Sequence, residues 1–237
     1  MTAKRAIRIS LLPLLLCVSL LAIFVLDLGE HLGFQALGEN REWLTARAAE
    51  DALIVVPVFV VLYALAVALS IPGATLFTLA GGFLFGTFPG AFYAVLGATT
   101  GAALVFLIAR SSFGEIFRTQ TEGALAKLRK GFCRNALNYL LFLRLVPLFP
   151  FWLINLATAY LDVPLRIFIL GTAVGIVPGA LIYASIGNGL GVLLDRGEVP
   201  DLGIIFSPTI FFPLLGLAML SLAPILYKRL RRGESGA

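Results

Sequence analysis

Arg144 stands alone as a charge in a 25-residue apolar stretch, Ala136 to Tyr160, that reads ALNYLLFLRLVPLFPFWLINLATAY. A guanidinium can hold a phosphate through two parallel N–H donors. A charge at membrane depth is costly and commonly marks a site or a pathway. Pro147 and Pro150 follow closely and free backbone groups beside the cation, because proline interrupts a helix. Asn155, farther along the same stretch, can both donate and accept. Arg144 and Asn155 are therefore candidates for binding an anion. The bland reading is that Arg144 only satisfies backbone carbonyls at a hairpin tip.

Other chemistry is poorly served. Cys17 and Cys133 lie in different settings, an apolar run and a basic loop, so a disulfide between them is not expected. Two cysteines and the single histidine, His31, make no metal site. No nucleophile–base pair or carboxylate pair falls at membrane depth, so an enzyme is the least expected class, and no cofactor is implied.

The elements that position Arg144 are those of a membrane protein. Hydrophobic residues make up 59% and charged residues 13% of the 237-residue chain, against about 25% charged in soluble domains. Apolar runs cover about 7–26, 53–70, 71–87, 90–109, 136–160, 165–187 and 203–227. Several reach the ~20 residues that cross ~30 Å of hydrocarbon. Basic residues before the first run resemble a signal peptide, but the run is long and no small-residue cleavage site follows, so a retained span is expected.

Apart from Arg8, Arg144 and Arg166, the charges lie outside these runs, and Asp162 sits in the short gap between two of them. Asp162 and Arg166 flank Pro164 and are spaced for a local i,i+4 ion pair. The 110–136 loop carries six basic residues and two acidic ones, whereas 27–52 carries six acidic and two basic. Basic loops stay in the cytoplasm, so 136–160 should enter and leave on that side as a re-entrant hairpin. Segments 34–52 and 113–134 look amphipathic, suited to lying on the membrane surface.

Residues 71–90, IPGATLFTLAGGFLFGTFPG, carry three expected helix breaks: Pro72-Gly73, Gly81-Gly82, and Gly86 with Pro89-Gly90. Pieces this short suggest a second hairpin. Gly97 with Gly101, and Gly171 with Gly175, have the small-xxx-small spacing of closely packed helices. Pro178 is expected to kink its span. Pro72 and Pro89 are 17 residues apart, as are Pro147 and Pro164, and the two pairs are offset by 75. A duplicated hairpin-plus-helix unit is a recurrent transporter design.

The series Pro72-Gly73, Ala80-Gly81, Phe85-Gly86, Gly90, Gly97, Gly101, Arg110, then Arg144, Pro147, Asn155, then Phe168, Gly175, Pro178, Tyr183, Gly187 resembles the DedA superfamily, in particular its VTT-domain (SNARE-associated Golgi protein) branch. The resemblance covers about residues 65–192. It implies two re-entrant hairpins opposed as an inverted repeat, and movement of lipid. It places the family's arginines on Arg144 and Arg110, making Arg110 a further candidate for headgroup binding. Many members carry acidic residues in or near the first hairpin for proton coupling. Residues 71–109 here contain none, which favours movement without proton coupling at that site.

The expected fold is an all-α polytopic membrane protein with about five to six transmembrane helices plus two opposed re-entrant helical hairpins. Residues 1–52 would form an N-terminal span and amphipathic surface segment, 53–192 the VTT/DedA membrane domain, and 193–237 a C-terminal span and basic tail. Pro72, Gly73, Gly81, Gly82, Gly86, Pro147, Pro150, Gly175 and Pro178 would shape hairpins and kinks. The leading function is a lipid transporter that moves phospholipid or polyprenyl-phosphate headgroups between leaflets. The partners would be lipids with anionic or phosphate headgroups, with room for a homo-oligomer and none for nucleic acid. A bacterial inner membrane is the expected address. A secondary transporter of a small ion or solute, and a non-transporting membrane scaffold, remain alternatives.

Overall fold

The computed structural model describes residues 41–70, 73–118, 132–190 and 201–234. The expected first span, Cys17, His31, Pro72 and the basic centre of the 113–134 segment lie outside them. The described residues are helical throughout, with no strand among them. In chain order the helices are α1 (Arg41–Glu50), α2 (Ala52–Ala68), α3 (Ala74–Phe85), α4 (Thr87–Arg118), α5 (Ala136–Leu145), α6 (Phe151–Tyr160), α7 (Leu165–Asn188) and α8 (Pro208–Glu234). Segments Thr87–Ser111, Leu165–Asn188 and Pro208–Tyr227 are long and apolar enough to cross a membrane. The other apolar helices are shorter, at 17 residues or fewer.

The described residues fall into two compact units that interleave in sequence: those up to 105 with those of 179–202, and those of 106–178 with those from 203 on. Both contain the same order of elements. A helix (α2 or α5) leads through a break to a short helix (α3 or α6). A residue with positive φ, Gly86 at 83° or Asp162 at 59°, then precedes a long helix (α4 or α7). This is the duplicated plan that the proline spacing suggests.

In the first unit, glycines bring backbones together. A Cβ on Gly90 would strike the Gly81 carbonyl, one on Gly82 the Ala184 carbonyl, and one on Gly187 the Leu79 carbonyl. The first turn of α4 and the last part of α7 therefore lie directly on α3. Gly97 and Gly101 seat α4 on α2, against Tyr63, Ala64 and Val67. Aromatic rings fill the rest: Phe59 meets Tyr63 and Phe85, and Tyr63 stacks on Phe77 at 5.3 Å. Tyr63 Oη and Thr78 Oγ1 share a buried hydrogen bond of 2.8 Å.

Two sequence expectations need correction here. Gly81-Gly82 does not break α3, which runs through both residues. In an apolar helix these glycines serve close approach rather than interruption. Pro89-Gly90 does not break α4 either, because Pro89 sits in its first turn, where the missing N–H has no intrahelical acceptor to lose. The break is at Gly86, whose φ of 83° suits glycine. Pro178 lies inside α7, which is continuous across it.

In the second unit, α5 and α6 form an antiparallel hairpin. Near its tip Arg144 reaches Asn155, and at its base Cys133 donates Sγ–H to Leu161 O at 3.2 Å. Each arm has 10 residues, about 15 Å of helix, half of a hydrocarbon core. α8 docks on α5 through Asn138, which donates Nδ2–H to Ser221 O at 2.7 Å.

Candidate functional site

The break between α5 and α6 spans residues 146–150, with Pro147 and Pro150 in it. Pro150 is the N-cap of α6, and Arg144 lies in the last turn of α5. A cation in that position is favoured by the negative end of the α5 dipole. The residue is nonetheless 8% exposed.

Among the described residues, the groups that hold the guanidinium are neutral. Nη2 donates to Asn155 Oδ1 at 2.5 Å and to Thr172 Oγ1 at 3.1 Å. Nη1 donates to Phe151 O at 3.4 Å. The Phe151 ring lies 4.1 Å from the guanidinium carbon, and the Phe168 ring 5.8 Å. Nε is buried with no hydrogen-bond partner. Among the described residues the ion pairs are Arg47–Asp51 and Arg110–Asp162, and neither involves Arg144. A buried cation without a counter-ion is strongly disfavoured unless something anionic joins it.

α7 supplies the third wall. Phe168, Thr172 and Gly175 recur at helical spacing on the face toward Arg144. A Cβ on Gly175 would lie 2.5 Å from Arg144 Cβ, and one on Gly171 would lie 2.7 Å from Leu140. The small-xxx-small pair thus seats α7 on α5, and the closeness it allows brings Thr172 into reach.

The structure brings Arg144 and Asn155 into hydrogen-bond contact. Thr172 is the residue that sequence reasoning missed. It sits one position after Gly171 and three before Gly175, so the face defined by the glycines contained the signal.

Arg110 stands apart from this cluster. Its Nη2 pairs with Asp162 Oδ1 at 2.7 Å, and its Nη1 donates to Val163 O at 3.4 Å. Both side chains of the pair are 42% exposed. The spacing of Asp162 and Arg166 suggests a local pair, but this contact crosses from α4 to the turn before α7. Arg110 lies over Phe106 and Arg144 over Phe168, while the two rings stack 4.5 Å apart. Each arginine thus caps a different ring and has different hydrogen-bond partners.

Long apolar helices, half-length hairpin arms and a cation buried among apolar rings define an integral membrane protein of helical type. The chain belongs to the VTT-domain family, within the DedA superfamily, and the VTT domain matches residues 71–189. It is 34% identical over 178 residues to the Transmembrane protein 41 homolog of Caenorhabditis elegans, covering 72% of this chain and 68% of that protein. It is 32% identical over 187 residues to the Transmembrane protein 41 homolog of Dictyostelium discoideum, covering 76% and 53%. Identity to mouse (Mus musculus) Transmembrane protein 41B is 29% over 167 residues, covering 68% and 54%. The chain thus spans only about half the length of two of these three relatives. No solved structure matches it.

Proposed function

We propose that the protein is a lipid transporter that moves phosphate-bearing headgroups between leaflets without enzymatic chemistry. The observation that carries this reading is the guanidinium of Arg144, buried at a hairpin tip with, among the described residues, an unpartnered Nε–H and no carboxylate beside it. A phosphate headgroup supplies the missing negative charge and accepts from that donor. The start of α6, just across the break, adds the positive end of a helix dipole. Asn155 orients the guanidinium, and Arg110, already paired with Asp162, would serve a headgroup only by exchanging that carboxylate for it.

In this reading α5–α6 is a re-entrant hairpin and α3 with the start of α4 is its counterpart. Each short arm is too short to cross and dips into the bilayer. The proposed address is a bacterial inner membrane, supported by the short connections between apolar runs.

The experiment is transport in liposomes by the purified protein. Labelled phospholipid or polyprenyl phosphate should equilibrate between leaflets, and Arg144→Ala should abolish this. Normal transport by a folded Arg144→Ala protein would remove Arg144 from the mechanism. Gradient-dependent uptake of a small solute without lipid movement would replace lipid by an ion or solute as substrate.

A further inference from the structure

We infer that Thr172 is a stand-in acceptor: it occupies a donor of Arg144 that a phosphate needs, and so sets how tightly the site holds its ligand. This rests on the proposed anion-binding role of Arg144 and deepens it.

An arginine grips two phosphate oxygens best along one edge of its guanidinium. The side edge consists of Nε–H and the nearer Nη2–H. Here Nε has no partner among the described residues, while Nη2 donates to both Asn155 Oδ1 at 2.5 Å and Thr172 Oγ1 at 3.1 Å. One of the two donors on the side edge is therefore buried and unpartnered. One phosphate oxygen can take Nε–H, but the second gains its donor only by displacing a neutral acceptor. Of the two, Thr172 makes the longer contact. It also approaches from α7, whereas Asn155 belongs to the same hairpin as Arg144.

The exchange suits transport. A permeation site must bind well enough to admit its ligand and weakly enough to release it. A hydroxyl that retakes the donor as the phosphate departs keeps the guanidinium hydrogen-bonded at both ends of the cycle. It also lowers net affinity, because each bound phosphate must break one hydrogen bond to a charged group.

Thr172 is fully buried, and valine matches its shape without the acceptor. The test uses the whole protein in uncharged maltoside micelles, which carry no phosphate. Unfolding midpoints are followed while phosphatidylglycerol is added in one arm and inorganic phosphate in the other. A ligand that binds the native state raises the midpoint. For Thr172→Val the half-saturating concentration should fall roughly tenfold, the worth of one hydrogen bond to a charged group. Thr172→Ala should shift in the same direction, and Thr172→Ser should behave as wild type.

In phosphatidylglycerol liposomes Thr172→Val should saturate at a lower lipid fraction and turn over more slowly. A purely structural role would lower the starting midpoint of Thr172→Val without tightening binding. Unchanged or weaker binding by both the valine and alanine proteins, with binding lost in Arg144→Ala, would overturn the role given to Thr172 alone. Wild-type binding by Arg144→Ala would overturn the reading beneath it. Tightening in the inorganic phosphate arm only would keep the acceptor exchange but make the ligand a soluble anion.

Discussion

Asp162 is a non-glycine residue in the left-handed region, with φ 59°, and its carboxylate binds Arg110. Two effects meet in this residue and can be separated. The ion pair is substantially exposed, and pairs of that kind contribute about 0–1 kcal/mol. The backbone conformation is tolerated by Asp and Asn but strains a β-branched residue, at a cost of about 1–3 kcal/mol. Asp162→Asn should therefore lower stability by no more than about 1 kcal/mol. Asp162→Val should lose clearly more. Chemical unfolding in detergent distinguishes them, and equal losses would assign the effect to the ion pair. At Arg144 the ranking reverses, because there the charge is buried and the backbone is ordinary helix.

At the scale of elements, glycine decides which helices touch. Gly82→Ala would place a methyl group against the Ala184 backbone carbonyl, which cannot move aside as a flexible side chain can. A loss of roughly 1–3 kcal/mol is expected, as for other overpacked contacts. Gly216 in α8 has nothing within 4 Å of where a Cβ would stand, so Gly216→Ala should be neutral or stabilising by up to about 1 kcal/mol through helix propensity. Thermal unfolding of the two variants side by side checks both, and matching losses would mean that close approach is not what Gly82 provides.

Glycine also shows what was legible in the sequence. The pairs Gly97/Gly101 and Gly171/Gly175 announced close packing by their spacing, and each pair contacts the helix that leads into its own hairpin. Gly81-Gly82 invited the reading of a break because glycine has two uses, chain reversal and close approach, that local sequence does not separate. Only the partners decide between them: the Phe59 ring and the Gly90 carbonyl for Gly81, and for Gly82 the Ala184 backbone about a hundred residues away. Pro147 and Pro150 were legible because proline acts on its own helix and needs no partner. Thr172 was hidden because a threonine in an apolar span is unremarkable until Arg144 is packed against it.

At the scale of the molecule, residues 71–109 hold no carboxylate, and the buried hydrogen bond joining α2 to α3 is a neutral tyrosine–threonine contact. Under the proposed function, this composition favours movement without proton coupling through that region. Lipid movement in liposomes should therefore proceed at the same rate with a proton gradient and after its collapse by a protonophore. A rate that follows the gradient would require a titrating group elsewhere, and Asp162 would be the first to substitute. The glycine contacts of α3 carry a consequence for biosynthesis as well. At 12 residues α3 cannot span a bilayer by itself, and the backbone it rests on, around Ala184 and Gly187, is synthesised about a hundred residues later. α3 must therefore leave the ribosome well before its seat exists. The closing of that contact should come late in assembly, once nearly the whole VTT domain has entered the membrane. A chain truncated before Ala184 should leave α3 exposed to quality-control proteolysis even though every residue of α3 is present.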